Sequence, residues 1–401
     1  MSASIQHPAP LWRGRATALL AIVLTAVNLR TAVTSLSPLL DRLEAHFGFG
    51  ATMSGVLGMV PTAAFAVFGV ATPALVRRFG LERTAALAML LAAAGLLLRA
   101  LAPNIAVLLA ASAIALAGMG IGNVVVPPMV KRYFADRVGT VSTLYITVLQ
   151  LGTMIPALLA VPLAQAAGWR VSLGIWSLLA AAALLPLLAL RVPAATGAQA
   201  TPAATLPGSG RVWRTPLGWS MALMFGMTSL VSYSMFTWLP KVIVDAGGSP
   251  TLGGNMLALF SAFGLASSLL MPTIAVRMRN PFPVVALCLA SLLVAFAGLV
   301  HAPLAAPLLW VSLLGIGPAT FPLSLTLINL RTSSAAGSAA LSGFMQGVGY
   351  ALSCLGPLLF GLLHTATDGW RAPFALLAGC SVVIAIAAWQ ACKPQQLEQQ
   401  W

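Results

Sequence analysis

The sequence predicts an all-α polytopic membrane protein, with twelve transmembrane helices in two pseudo-symmetric six-helix bundles. Three observations predict it. Of 401 residues, 59% are hydrophobic and only 7% are charged, whereas a soluble globular domain carries about 25% charged residues. The apolar residues fall into runs of roughly 20 residues or more, the length that crosses a bilayer. One stretch without helical periodicity divides those runs into two equal sets of six.

In chain order the expected spans are 16–45, 51–77, 82–101, 105–132, 139–166 and 169–191, then 214–244, 250–277, 281–300, 304–330, 336–364 and 370–391. The first follows a short basic tail with Arg13 and Arg15. It is long and has no small-residue cleavage site, so it reads as a retained helix and not a removed signal peptide. Between the sixth and seventh spans lies Pro193 to Gly210, rich in Ala, Thr, Pro and Gly, the composition of a linker. Residues 1–192 are thus expected to form one bundle, 193–212 a cytoplasmic linker and 213–401 the other bundle.

Basic residues orient the spans. With the N-terminus inside, the cytoplasmic side receives Arg13, Arg15, Arg77, Arg78, Arg83, Lys131, Arg132, Arg137, Arg191, Arg211, Arg214, Arg277, Arg279, Arg331 and Lys393. Only Arg42, Arg99, Arg170, Lys241 and Arg371 fall at the other face. Fifteen against five obeys the positive-inside rule and places both termini in the cytoplasm. The net charge of +14 is then topological, and no nucleic-acid partner is expected. Cys288, Cys354, Cys380 and Cys392 lie in apolar runs at no metal-ligand spacing, so they read as free thiols. Neither a metal nor a cofactor is expected, and no Gly-Lys-Ser/Thr nucleotide loop is present.

Asn28-Leu29-Arg30-Thr31 stands out within the first span. Arg30 sits about fifteen residues from the charged tail, roughly 22 Å into a bilayer at 1.5 Å per residue. It reads as the one ionisable side chain at membrane depth. Such a charge costs at least ~2.5–3.5 kcal/mol on insertion scales and is functional by default. No carboxylate is expected at its level, which points to an anionic or electron-rich ligand as its partner. A structural use, with the guanidinium satisfied by carbonyls at a helix break, is the competing reading.

The two halves echo each other. Gly118-Met119-Gly120-Ile121-Gly122 precedes Pro127, with Gln150 on the next span; Gly315-Ile316-Gly317 precedes Pro322, with Gln346 at a similar distance. Tandem six-span halves resemble the major facilitator transporters, which hold substrate between the halves near the midplane. Gly69 to Gly80 with Arg83 resembles that superfamily's loop between the second and third spans, except that Arg77 stands where an acid is usual, which puts that loop's charge relay in doubt. Asn28-Leu29-Arg30-Thr31 with Ser37-Pro38-Leu39-Leu40 is similar to the first span of a narrower branch, the cyanate/2-nitroimidazole transporter family. So are Gly122-Asn123, Phe225-Gly226 with Tyr233, Trp238-Leu239-Pro240 and Asp245-Ala246-Gly247. Ser342-Gly343-Phe344 with Gln346-Gly347-Val348-Gly349-Tyr350 and Gly356-Pro357 resembles its eleventh span. Thr228 departs from the pattern, where a longer polar side chain such as Gln is expected.

The resemblance implies a small-molecule carrier, not an enzyme, in the bacterial inner membrane, surrounded by lipid and working as a monomer. Arg30 is the expected substrate anchor. Tyr233 aligns with its level when Pro38 is matched to Pro240, and can supply an aromatic face and a hydroxyl. Trp238 lies nearer the outer end, where an interfacial belt is an equal reading. Asn28, Asn123, Tyr145, Gln150, Gln346 and Tyr350 must turn into the bundle interior, to touch either substrate or neighbouring helices. Gly120, Gly122, Gly315, Gly317, Gly347 and Gly349 read as packing or hinge positions. No carboxylate or imidazole is expected at the midplane, which disfavours a proton antiporter of the carboxylate type. The expected function is secondary-active or facilitative transport of a small anionic or nitro/azole-like solute. The alternatives are efflux of uncharged hydrophobic compounds and a non-transporting sensor with a carrier fold.

Overall fold

A computed structural model describes residues 15–190 and 209–400. The segment 193–208 of the expected linker, like Arg13 and Arg191, lies outside the described residues. Among these, eleven stretches are long and apolar enough to cross a membrane. They are α1 Ala16–Phe47, α2 Ala51–Phe79, α3 Leu81–Ala100, α4 Ile105–Tyr133, the 52-residue Val138–Ala189, α7 Pro216–Asp245, α8 Pro250–Arg277, α9 Phe282–His301, α10 Pro307–Leu330, α11 Gly337–Thr367 and α12 Arg371–Ala391. Fifty-two residues would extend roughly 78 Å as one helix, far beyond a ~30 Å hydrocarbon core. Gly168 divides that run with φ 84° and ψ 159°, a conformation closed to L side chains. Its halves, α5 (138–167) and α6 (169–189), bring the candidate spans among the described residues to twelve.

Local chemistry sets the helix starts. Asn104, Thr215, Ser249 and Ser334 each accept a backbone N–H three residues on, the N-cap arrangement. Pro216 and Pro250 follow two of these caps, at a position where a missing N–H costs nothing. Three spans are interrupted, as carrier helices commonly are. The regular part of α1 ends at Asn28 and resumes at Thr31, with a 3-10 turn at Ser37–Leu39. In α10 a 3-10 turn occupies Gly317–Ala319, and α11 is interrupted near Cys354.

Helices α7–α12 pack around one apolar cluster, which Ala157 of α5 joins, and α1–α6 around two, one of which Tyr233 of α7 joins; this is the pseudo-symmetric two-bundle fold. Val70, Leu178, Leu185, Leu188, Val276 and Ile386 point outward, as a lipid-facing surface requires. Alternate helix ends gather at two faces. One, the basic end, carries Arg77, Arg78, Lys131 and Arg132 on α2 and α4. There Arg15 grips Asp136 with two hydrogen bonds of 2.6 and 3.2 Å, and holds that carboxyl below the usual carboxylate range. Glu82, buried, accepts from Tyr133 at 2.8 Å and pairs with Arg132 at 3.2 Å, tying α3 to α4.

The opposite, acidic end is where the bundles meet. Lys241 of α7 reaches Asp41 at 2.6 Å and Glu44 at 3.1 Å on α1. Beneath these pairs α2 runs against α7 and α11. A Cβ added at Gly58 would lie 2.5 Å from Thr237 Oγ1 and 2.8 Å from Pro357 Cβ, so only a glycine permits this approach.

Two sequence expectations are corrected here. Arg99, at the acidic end of α3, is not interfacial but fully buried, because the break in α1 and the neighbouring α4 cover the last turn of α3. Arg30 is therefore not the one arginine inside the bundles. Nor is Trp238 in a belt: it is fully buried and donates its Nε1–H to Pro357 O at 2.9 Å, joining α7 to α11.

At the basic end the C-terminal segment straps α10 and α11. Arg331 donates to Ala391 O and Cys392 O at 3.1 and 2.7 Å, and Glu398 accepts from the backbone N–H groups of Ser333 and Ser334 at 3.0 Å. Burial opposes ionisation of Glu398, but these bonds and the Ser334 hydroxyl outweigh it and lower its pKa. A depressed carboxylate stabilises the folded state above its unfolded pKa, and that contribution fades as pH falls through the folded value. Glu398→Gln is expected to lower stability at pH 7 by about 1 kcal/mol, with the difference shrinking below pH ~4.5; thermal unfolding of both purified proteins across pH 7 to 4 checks it.

Candidate functional site

The break in α1 creates the site. Arg30 has φ −132° and ψ −6°, outside the helical range, so its side chain leaves the helix at an angle a continuous turn would not allow. Side chains meet the carbonyls of the break. The Thr31 hydroxyl donates to Asn28 O at 3.1 Å, and Arg99 donates Nη1–H to Ala32 O at 2.9 Å. The Arg30 guanidinium lies over the Phe65 ring, 4.7 Å from its centroid, a cation–π contact. It lies within electrostatic range of the Tyr350 and Tyr233 side chains. One of its terminal nitrogens, Nη1, is buried and has no hydrogen-bond partner among the described residues.

Arg30 stands at the junction of two cavities. The larger, about 530 Å³, runs between α2, α4, α10 and α11, with Phe65, Asn123, Phe321, Gln346 and Tyr350 on its wall. Through Leu325 and Ser342 it continues into a further space of about 680 Å³ between Lys131 and the Thr332–Ser334 segment. The site therefore communicates with the basic end and is shut from the acidic end by the Gly58 and Lys241 contacts. The smaller compartment, about 110 Å³, lies between α5, α7, α8 and α10. Gln150, Ser229, Ser232 and Tyr233 give it polar walls, and Phe236 and Phe260 apolar ones. The Ser229 hydroxyl is buried and has no partner among the described residues. Gln150 lies close over Gly264, where a Cβ would stand 2.6 Å from its Nε2.

The structure thus brings together six of the nine residues singled out in the sequence. Asn123 and Gln346 face the larger cavity while bonding Met119 O and Ser342 Oγ; Gln150 and Tyr233 face the smaller, Tyr350 the larger, and Arg30 both. Three lie elsewhere. Asn28 is fully buried and donates to Leu24 O and Leu179 O at 2.7 and 3.2 Å, joining α1 to α6. Tyr145 packs beside the first bundle's core, and Trp238 joins α7 to α11. Thr228 faces neither cavity but Thr320 Oγ1, at 2.8 Å. The aromatic walls, Phe65, Phe236, Phe260 and Phe321, were not singled out. Phenylalanine in an apolar helix looks the same whether it faces lipid, core or cavity.

Two bundles around a central polar cavity, with an arginine aimed into it and one end open, define a membrane carrier. Residues 19–354 match the Major Facilitator Superfamily, and the chain belongs to it, in the branch of cyanate and 2-nitroimidazole transporters. It is 32% identical to the 2-nitroimidazole transporter of Escherichia coli strain K12, over 91% of this chain and 92% of that protein. It is 31% identical to the cyanate transport protein CynX of the same strain, over 92% and 95%. Among solved structures it is similar to a bacterial homologue of the human lysosomal transporter Spinster, in an inward-facing and occupied conformation. That likeness has a TM-score of 0.78 and 14% identity, covers 98% of this chain and 99% of the other, and bears on the fold.

Because Asn28 spends its donors on carbonyls of α1 and α6, Asn28→Ala is expected to act on stability. A loss of about 1 kcal/mol, read as a lower Tm of the purified protein, with ligand affinity within about twofold of wild type, is the expected outcome.

Proposed function

We propose that this chain carries a small anionic or nitro/azole-like solute across the bacterial cytoplasmic membrane by alternating access, with Arg30 as the anchor for its electronegative end. The observation that carries the reading is a guanidinium at the junction of two cavities, with a free N–H and, among the described residues, no carboxylate on either cavity wall. A guanidinium keeps its proton in any protein environment, and its planar fork matches carboxylate, nitro or cyanate groups. The relatives named for 2-nitroimidazole and cyanate supply a consistent size class.

In this reading Phe65 presses on one face of the Arg30 fork and limits its directions. Tyr233 and Tyr350 offer hydroxyls beside it, and Gln150 and Gln346 bring one amide from each bundle. A flat solute in the smaller compartment lies against Phe236 and Phe260. The basic end is the cytoplasmic one by the positive-inside rule, both termini are inside, and the cavity faces inward. Among the described residues, the walls of both cavities lack Asp, Glu and His, so a proton relay there has no carrier. Inward movement of a monoanion opposes the membrane potential by ~2.3 kcal/mol per 100 mV, which favours exchange or uptake drawn by intracellular consumption.

The test is ligand-induced thermal stabilisation of the purified protein by cyanate, nitrate, small carboxylates and 2-nitroimidazole, on wild type and Arg30→Gln. A ligand at a hundred times its Kd adds ~2.7 kcal/mol to the folded state. The expected result is stabilisation of wild type by at least one of these compounds and none in a folded Arg30→Gln. Equal stabilisation of both proteins would overturn the anchor and favour a carrier of uncharged compounds. Binding without flux in proteoliposomes would instead favour a sensor.

A further inference from the structure

The second arginine inside the first bundle faces a pocket of its own. Arg99 is fully buried, and its one hydrogen bond, to Ala32 O at 2.9 Å, uses a single N–H. Its Nε and Nη2 have no partner among the described residues, and no ion pair found among them includes it. Leaving buried donors unmet is costly, and leaving a buried charge unmet costs more.

The pocket that Arg99 lines is separate from both cavities at Arg30. Ser37 of α1, Ser54 of α2, Ser112 of α4 and Thr237 of α7 contribute to its wall. It leaves about 10 Å³ for the centre of a water-sized sphere, room for one small particle. Each of those hydroxyls already donates elsewhere: Ser37 to Val33 O, Ser54 to Glu44 Oε1, Ser112 to Leu108 O and Thr237 to Tyr233 O. The donors left to greet a guest belong to Arg99, and the guest must balance a positive charge. Water fits the space but brings no charge. A carboxylate or other polyatomic anion brings the charge but not the size.

We propose that the Arg99 pocket is a binding site for one halide-sized monoanion. Thr237 belongs to the other bundle and packs on Gly58 at the pocket wall, so the site is complete while the bundles meet at the acidic end. The anion then stabilises that closure, independently of what binds at Arg30.

Thermal unfolding of the full chain in detergent, in gluconate with chloride or bromide substituted at constant ionic strength, tests this. A saturable rise in Tm with either halide is expected in wild type and in Arg30→Gln, and its loss in Arg99→Gln, which keeps a donor for Ala32 O. Should Arg99→Gln fail to fold, a bromide anomalous-scattering peak within hydrogen-bonding distance of Arg99 in wild-type crystals supports the site. A Tm that responds to halide no more than to gluconate overturns it, and so does a halide response that disappears in Arg30→Gln. The absence of bromide density at Arg99 does the same.

Discussion

An arginine cannot shed its charge to enter a low-dielectric interior, and the architecture follows from where the chain puts that charge. The break in α1 after Asn28 turns Arg30 out of its helix, and the Phe65 ring supports the guanidinium from one side. Tyr350 from the second bundle completes the surroundings. The break has to be held open by something other than helix hydrogen bonds, and Arg99 and Thr31 do this through Ala32 O and Asn28 O. One arginine is thus presented by a joint that another arginine secures.

The two ends of the molecule differ in how readily they can part. At the acidic end, contact depends on small residues, with Gly55 of α2 lying 2.8 Å, from a would-be Cβ, to Pro357 O. Over that close contact sits Lys241 between Asp41 and Glu44. Asp41 retains access to solvent, where ion pairs are weak and screened by salt. Such a closure is selective in geometry without being deep in energy. The basic end is open, and the strap of Arg331 and Glu398 joins elements within the second bundle only.

Much of the fold was legible because a bilayer leaves few choices. Backbone groups in hydrocarbon must pair within helices, so apolar runs marked α1 to α12 within a few residues, and even the Gly168 joint fell between two expected spans. Arg30 was legible for the same reason, since charge at that depth is rare. The side chains that turn on tertiary cover were not. Arg99 stands at the end of an apolar run exactly as an interfacial arginine would, and only the fold of α1 over it makes it interior. Asn28 and Gln150 are equally polar in sequence, yet one meets carbonyls and the other a cavity, because the regular turn before the break points Asn28 at α6. Phe65 carries no sequence mark at all, since its role exists only once Arg30 lies against it.

The joint between α5 and α6 has a consequence for how this protein is made. With a single residue, Gly168, between two spans, neither can wait in water while the other settles, so the pair must enter the bilayer as one helical hairpin. Its tip carries one cation, Arg170, laid over Trp169 at 4.4 Å. A lone arginine with its charge shared by an indole is a small burden to bring across a membrane, and the hairpin's own short turn sets the pairing of its arms at the moment of insertion.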